Sequence, residues 1–184
     1  MIYVTSDWHL HHANLVQGGR IATRPFRTVS EMNECIVENI NATCKPTDKL
    51  WMLGDVTLMR TDPEVWLGIC KRIRVPLEYL FVGNHDHYDP WDYDRHAGFQ
   101  HIVASLTSHK CLFSHVPIHP SQFYRFKAHI HGHTHEKLVP AGAGDVGMNL
   151  NGQRVDPRYI NVCVETRDYK PVSLEQLMAE VAAI

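Results

Sequence analysis

An α/β fold built in layers is predicted by three features of the sequence. The first half alternates strand and helix patterns, the second half is rich in short strand patterns, and the apolar strand runs end in Asp, Asn or His. Strand–helix alternation is the pattern of right-handed crossovers packing helices on a sheet. Side chains delivered at strand C-termini reach the sheet rim, where open α/β folds build their sites.

Met1–Thr5 reads as the first strand, and Asp7 follows at once. Residues His12 to Arg27 carry Gly18-Gly19 and Pro25, which suit an irregular loop lying over the site. Thr28-Val29-Ser30-Glu31 has capping-box spacing. Met32, Cys35, Ile36, Asn39, Ile40 and Thr43 then recur at helical intervals until Pro46 closes the helix. Leu50–Leu53 is a continuous apolar run, as in a strand buried on both faces. Asp62-Pro63 suits an N-cap with proline at the first helical position. Val65, Trp66, Ile69, Cys70 and Ile73 form the buried stripe of that helix, Pro76 ends it, and Leu77–Val82 is the next strand. Further strands are expected around His101–Ala104, Lys110–His115, Ala128–Gly132, Gly147–Leu150 and Arg158–Glu165. A last helix starts at Ser173, with Gln176 in capping-box register and Leu174, Leu177, Met178 and Val181 as its apolar face.

The length of 184 residues suits one domain, residues 1–184, with a sizeable core. The formal net charge of -2 offers no global attraction to nucleic acid or to an anionic membrane. Five cysteines form no Cys-x-x-Cys pair and read mostly as small buried core residues. The chain opens directly into a strand, without a basic segment, apolar h-region or cleavage site, and no apolar run reaches membrane-spanning length. A soluble, cytoplasmic protein is the expectation.

Six stretches place metal-ligand side chains after these runs: Asp7-Trp8-His9, Gly54-Asp55, Gly83-Asn84-His85-Asp86, Ser114-His115, His131 and Gly132-His133-Thr134-His135. Singly each has a bland reading. Asp7 or Asp55 alone is a strand-end turn residue, and His115 alone a rim histidine. A structural zinc site would usually recruit cysteine, and none sits near His133 and His135 in sequence. Jointly the blocks point to one converging metal centre.

In order and spacing these blocks resemble the calcineurin-like metallophosphoesterases. The family pattern runs Asp-x-His, Gly-Asp, Gly-Asn-His-Asp/Glu, a lone His and Gly-His-x-His, and all five blocks stand in that order between residues 7 and 135. Arg24-Pro25-Phe26, and Asn161-Val162 through Pro171-Val172-Ser173-Leu174, are similar to stretches of the small, compact members. The resemblance implies a layered sandwich of two mixed sheets flanked by helices, with a metal site at the strand-end rim and no cap domain.

It also implies roles. Asp7, His9, Asp55 and His135 would hold one ion; Asp55, Asn84, His115 and His133 the other, with Asp55 shared. His85 would protonate or stabilise the leaving oxygen, and Asp86 would orient it. Two divalent transition-metal ions are implied, Mn foremost in vitro, with Fe, Zn, Ni or Co as the other candidates for mixed nitrogen and oxygen ligation. The implied reaction is hydrolysis of a small phosphate ester, first of all a nucleotide diester or monoester, through a hydroxide bridging the ions. Arg24 and Arg60 lie in loops beside site strands and could grip a non-reacting phosphate or form surface ion pairs. His131 alternates with His133 and could touch substrate. His11, His12 and His87 read as supporting or solvated, and Trp8, Tyr88 and Trp91 as packing rather than base-stacking. The enzymatic rival is a nuclease, disfavoured by the acidic balance and the lack of a basic stripe; tight nucleic-acid binding and membrane binding are not expected. A protein phosphatase is disfavoured by the short chain, and a non-catalytic module by the complete motif set.

Overall fold

A computed structural model of the chain describes residues 1–58, 61–141 and 155–184. The first half follows the expected alternation: β1 (Ile2–Thr5), α1 (Val29–Thr43), β2 (Lys49–Met52), α2 (Pro63–Cys70) and β3 (Leu77–Phe81). The second half contributes β4 (His101–Val103), β5 (Ser105–Ser108), β6 (Cys111–Ser114), β7 (Ala128–His131), β8 (Tyr159–Asn161), β9 (Val172–Ser173) and α3 (Leu174–Ala182). The strand expected at Gly147–Leu150 lies outside the described residues. Of the stretch expected to be extended from Arg158 to Glu165, only β8 is strand, and Val164–Arg167 is a turn of 3-10 helix.

The helix signals act locally. Thr28 Oγ1 accepts the Glu31 N–H at 3.1 Å, Asp62 caps through the Glu64 N–H at 2.9 Å, and Ser173 Oγ accepts the Gln176 N–H at 3.1 Å. The Glu31 carboxylate reaches back to the Arg27 N–H rather than that of Thr28. α2 stops at Cys70, so Ile73 packs from the connection and not from the helix.

Two mixed sheets result. One has the order β4-β3-β2-β1-β9, with β1 to β4 mutually parallel and β9 antiparallel to β1. The other has the order β5-β6-β7-β8, antiparallel only between β5 and β6. Strand alternation divides the core. Leu50 and Met52 face Met32, Ile36 and Trp66 of the outer helices, whereas Val4, Trp51, Leu53 and Phe81 face Phe113, Ile130 and Ile160 of the second sheet. The Trp51 and Phe113 rings meet edge-on at 5.2 Å across that interior, and Leu174, Leu177 and Val181 of α3 join the same cluster. Among the described residues no helix is long and apolar enough to cross a membrane.

Candidate metal centre

The parallel pairing of the strands continues into the loops beyond them. Asp7 N–H donates to Gly54 O, His9 N–H to Asp55 O and Gly132 N–H to His115 O, each at 3.0 Å. Ser6 and Cys163 form a parallel bridge that joins the rims of the two sheets. Past this point the backbone turns sharply. Asp7, His9, Asp55, His133 and His135 have φ between 48° and 70°, a left-handed region uncommon for any residue but glycine. Such strain collects where a constellation must be held against local preference. Two glycines make the approach possible. A Cβ on Gly83 would strike the Asp55 carboxylate, and one on Gly132 would overlap Ser6 Oγ and lie 2.5 Å from Asp7 Oδ2.

These turns gather two groups able to hold a metal ion: Asp7, His9 and His135, and Asp55, His115 and His133. Asp55 Oδ2 lies 3.5 Å from His9 Nε2 and 3.4 Å from His115 Nε2, so it faces both groups. His9 Nε2 and His135 Nε2 stand 3.7 and 3.8 Å from Asp7 Oδ1. These separations are too long for hydrogen bonds. They approach the spacing of about 3.0–3.4 Å between ligand atoms sharing one ion at bonds of about 2.1 Å. Asn84 Oδ1 lies 3.0 Å from His115 Nε2, beside the second group.

For Asp7, His115 and His135 the atoms turned away from the group are already committed, which leaves one face of each free. Asp7 Oδ2 accepts from Ser6 Oγ at 2.5 Å, His133 N–H at 2.9 Å and Cys163 Sγ at 3.1 Å. Asp7 Oδ1 is buried without a partner, as are both ring nitrogens of His9. His115 Nδ1 bonds Leu53 O and His135 Nδ1 bonds Glu165 Oε1, both at 2.7 Å, leaving Nε2 toward the group. Ligating histidines are oriented this way by an acceptor on the second nitrogen. The residues therefore fit a metal centre.

The electrostatics agree. Burial works against ionising Asp7 and Asp55, but the facing imidazoles outweigh it and hold both below the usual carboxylate range. Burial lowers the pKa of His9 and of His133. His115 is pushed up to about 9: burial opposes its charge, and Asp55, Asp7 and the Leu53 carbonyl overcome that.

A cavity of about 530 Å³ opens on the first group, lined by His9, His12, His85, His133, His135 and Glu165 with Leu15, Ile21, Thr23 and Lys137 among the rest. His85 enters it beside His9, ring centroids 5.1 Å apart, while its backbone N–H donates to Asp55 Oδ1 at 2.8 Å.

Three expectations change here. Asp86 does not orient His85. Its carboxylate accepts the backbone N–H groups of Asp55, Gly83 and Val56 at 2.8, 2.8 and 3.0 Å, with Tyr93 Oη at 3.4 Å. Arg24 does not face a substrate. It is buried, and its guanidinium is spent on the carbonyls of Asp7 and Trp8, on Met32 Sδ and on Glu165 Oε1. His131 is buried between His129 and Tyr159, bonded to its neighbour's carbonyl Gly132 O and absent from the cavity lining. Of the two readings for His12, supporting or solvated, its buried place in the cavity wall fits the first. Arg60 lies outside the described residues. Trp8 is fully buried, and Tyr88 donates to Thr61 O and packs on Trp66, away from the cavity.

Sequence reasoning passed over Glu165, Asn161, Ser6 and Cys163. Glu165 ties Arg24 to His135, and Asn161 Nδ2 holds the last motif through Thr134 Oγ1 at 3.0 Å and His135 O at 2.6 Å. The usable signal was position. Asn161 ends β8 and Glu165 follows it closely, as the ligands follow their own strands.

No family model matches the chain. In fold it is similar to the protein of unknown function AQ665 from Aquifex aeolicus, at TM-score 0.68 and 26% identity over 97% of this chain and 98% of that one. A looser overlap with the Pseudomonas putida nuclease MPE has TM-score 0.46 and 20% identity, covering 77% and 64% of the two chains. In sequence the chain is 32% identical over 184 residues to the uncharacterized protein MJ1445 of Methanocaldococcus jannaschii, spanning 96% of this chain and 89% of that protein. On that identity and coverage the chain belongs to the family of MJ1445.

Proposed function

We propose that the chain is a metal-dependent phosphoesterase of the calcineurin-like kind, hydrolysing a small phosphate ester at a two-ion centre. The observation that carries this reading is Asp55 Oδ2, 3.5 Å from His9 Nε2 on one side and 3.4 Å from His115 Nε2 on the other. A carboxylate oxygen between two imidazole groups is what a shared ligand requires. Asp7, His9, Asp55 and His135 would hold the first ion, and Asp55, Asn84, His115 and His133 the second. Such a pair, when bound, supplies an activated water near neutral pH and offsets charge on the phosphoryl oxygens. Mixed imidazole and oxygen donors favour Mn, Fe, Zn, Ni or Co.

His85 acts in this reading as the proton donor to the departing oxygen. It reaches the cavity beside His9, and its Nδ1 is buried with no protein partner. The substrate is a small molecule, a nucleotide ester foremost, rather than a long nucleic acid. The net charge of -2 supports this, since non-specific nucleic-acid affinity comes from neutralised phosphates. Among the described residues Lys137 is the one Lys or Arg in the cavity wall.

Chelation tests the whole reading. Verified metal-free protein should not hydrolyse an aryl phosphodiester, and Mn should restore the rate with two ions bound per chain. Undiminished hydrolysis by the apoprotein would overturn it.

A further inference from the structure

Buried polar atoms without partners need an account, because leaving them unsatisfied is costly. Asp7 Oδ1 and the His9 nitrogens belong to the metal groups, His85 Nδ1 to the proposed proton donor, and Trp66 Nε1 to the core under α2. Among the described residues two remain, His12 Nδ1 and Glu165 Oε2. Both residues line the cavity that opens on His9 and His85.

The Glu165 side chain is held in place, and the His12 ring is buried against that of His9. Glu165 Oε1 takes Arg24 Nε at 2.9 Å, Arg24 Nη2 at 2.7 Å and His135 Nδ1 at 2.7 Å, so the carboxylate is clamped. As an ionised carboxylate it only accepts, and Oε2 requires a donor. The His12 ring packs 5.4 Å from that of His9, and His12 carries the first turn of the covering loop through Leu15 N–H to His12 O at 3.1 Å. That loop is pinned by Arg24 N–H to Leu15 O and Ile21 N–H to Asn14 O, at 2.8 and 3.0 Å, and presents Leu15 and Ile21 to the same cavity.

We propose that His12 and Glu165 form a hydroxyl-recognition subsite beside the reacting phosphate, and that the substrate is a phosphate ester of a polyhydroxy alcohol. A polyol, a sugar or the ribose of a nucleotide supplies the donor that Glu165 Oε2 lacks and a hydroxyl oxygen or hydrogen for His12 Nδ1. Its carbon skeleton lies against Leu15 and Ile21. The inference rests on the phosphoesterase reading and narrows its substrate class.

The test compares glycerol phosphate with propyl phosphate on Mn-loaded protein. Hydrogen bonds to a charged group predict a kcat/KM preference of about 10–100-fold for the glycerol ester. In His12→Leu that ratio should fall toward one, and His12→Asn, whose amide stands near the Nδ1 position, should recover most of it. Metal content and thermal midpoint are measured on each variant. Binding of the hydrolysis-resistant dihydroxybutyl and butyl phosphonates, read by calorimetry, should show the same preference. Equal binding of the two phosphonates by the wild-type protein overturns the subsite, as does a wild-type ratio near one. A preference that survives in His12→Leu, with both ions and the wild-type midpoint retained, removes His12 from it. If fully loaded protein hydrolyses neither these esters nor the aryl phosphodiester, the phosphoesterase reading falls, and the phosphonate pair still decides the subsite.

Discussion

The Asp86 carboxylate holds the backbone of Asp55, accepting its N–H at 2.8 Å through Oδ2 and that of Val56 at 3.0 Å through Oδ1. Asp55 returns the contact one residue earlier, its Oδ1 accepting the His85 N–H at 2.8 Å. The two carboxylates lock the Gly54-Asp55 turn and the Gly83–Asp86 turn to each other. With Asp55 Oδ1 spoken for, Oδ2 is fixed toward His9 and His115. Asp86 therefore acts on the metal groups and not on the imidazole next to it.

Asp86→Ala should consequently cost stability and metal together. Three buried N–H groups lose their acceptor, at about 1–3 kcal/mol each. A loss of 3 kcal/mol or more lowers the thermal midpoint by roughly 10 °C in a chain of this size, and metal occupancy should fall with it. Calorimetry and elemental analysis read both. Wild-type midpoint and occupancy, paired with a defect confined to poor leaving groups, would return Asp86 to the role of orienting His85.

Local signals were the legible part of this chain. Thr28, Asp62 and Ser173 cap within three residues of themselves, the run Leu50–Leu53 overlaps β2 from its second residue, and the run Leu77–Val82 contains β3. β5 (Ser-Leu-Thr-Ser) and the two-residue β9 carry no apolar run, since edge strands pair on one side only, and they escaped notice. The candidate ligands were legible because each follows a strand. Their supports were not. Arg24 bonds Glu165 from 141 residues away, and Asp86 reaches Asp55 across 31. A guanidinium in a loop reads as a surface cation until the carbonyls of Asp7 and Trp8 are seen around it.

The proposal that Asp55 is shared by two ions gives a stoichiometric prediction. Asp55→Asn weakens both groups at once, so metal analysis after exhaustive dialysis should find both ions depleted. His9→Ala removes a ligand from the first group and should leave the second ion largely in place. Full double occupancy in Asp55→Asn would show that the oxygen facing His9 and His115 is not shared.

Metal affinity should rise with pH. Metal-free His115 keeps a proton on both nitrogens, with Leu53 O at 2.7 Å and Asn84 Oδ1 at 3.0 Å as acceptors, and its pKa lies at about 9. An ion must displace the Nε2 proton, so Mn affinity should increase about ten-fold per pH unit from about pH 7 to 9 and then level off. The apoprotein moves the other way. A histidine whose pKa is raised on folding stabilises below its ordinary value of 6.5, and that contribution is lost as pH rises through 9. Mn titrations and apoprotein melts across this range read the two trends. A flat Mn affinity would mean that His115 is not a ligand.

His85 has the most discriminating test, because a proton matters only to a leaving oxygen that needs one. A nitrophenolate departs unaided, whereas a ribose or alkyl alkoxide does not. General acid catalysis contributes about 10²–10⁴-fold, so His85→Ala should lose that much on an alkyl or nucleoside ester and far less on a nitrophenyl ester. Both ions should remain, since the side chain belongs to neither metal group and only its backbone touches Asp55. Rates on both esters and metal content are taken from one preparation. Equal losses on the two leaving groups would make His85 a stabiliser of the phosphoryl oxygens, and depleted metal would make it a ligand. With both ions retained, selective loss on the alkyl ester is the signature of a proton passing from this imidazole.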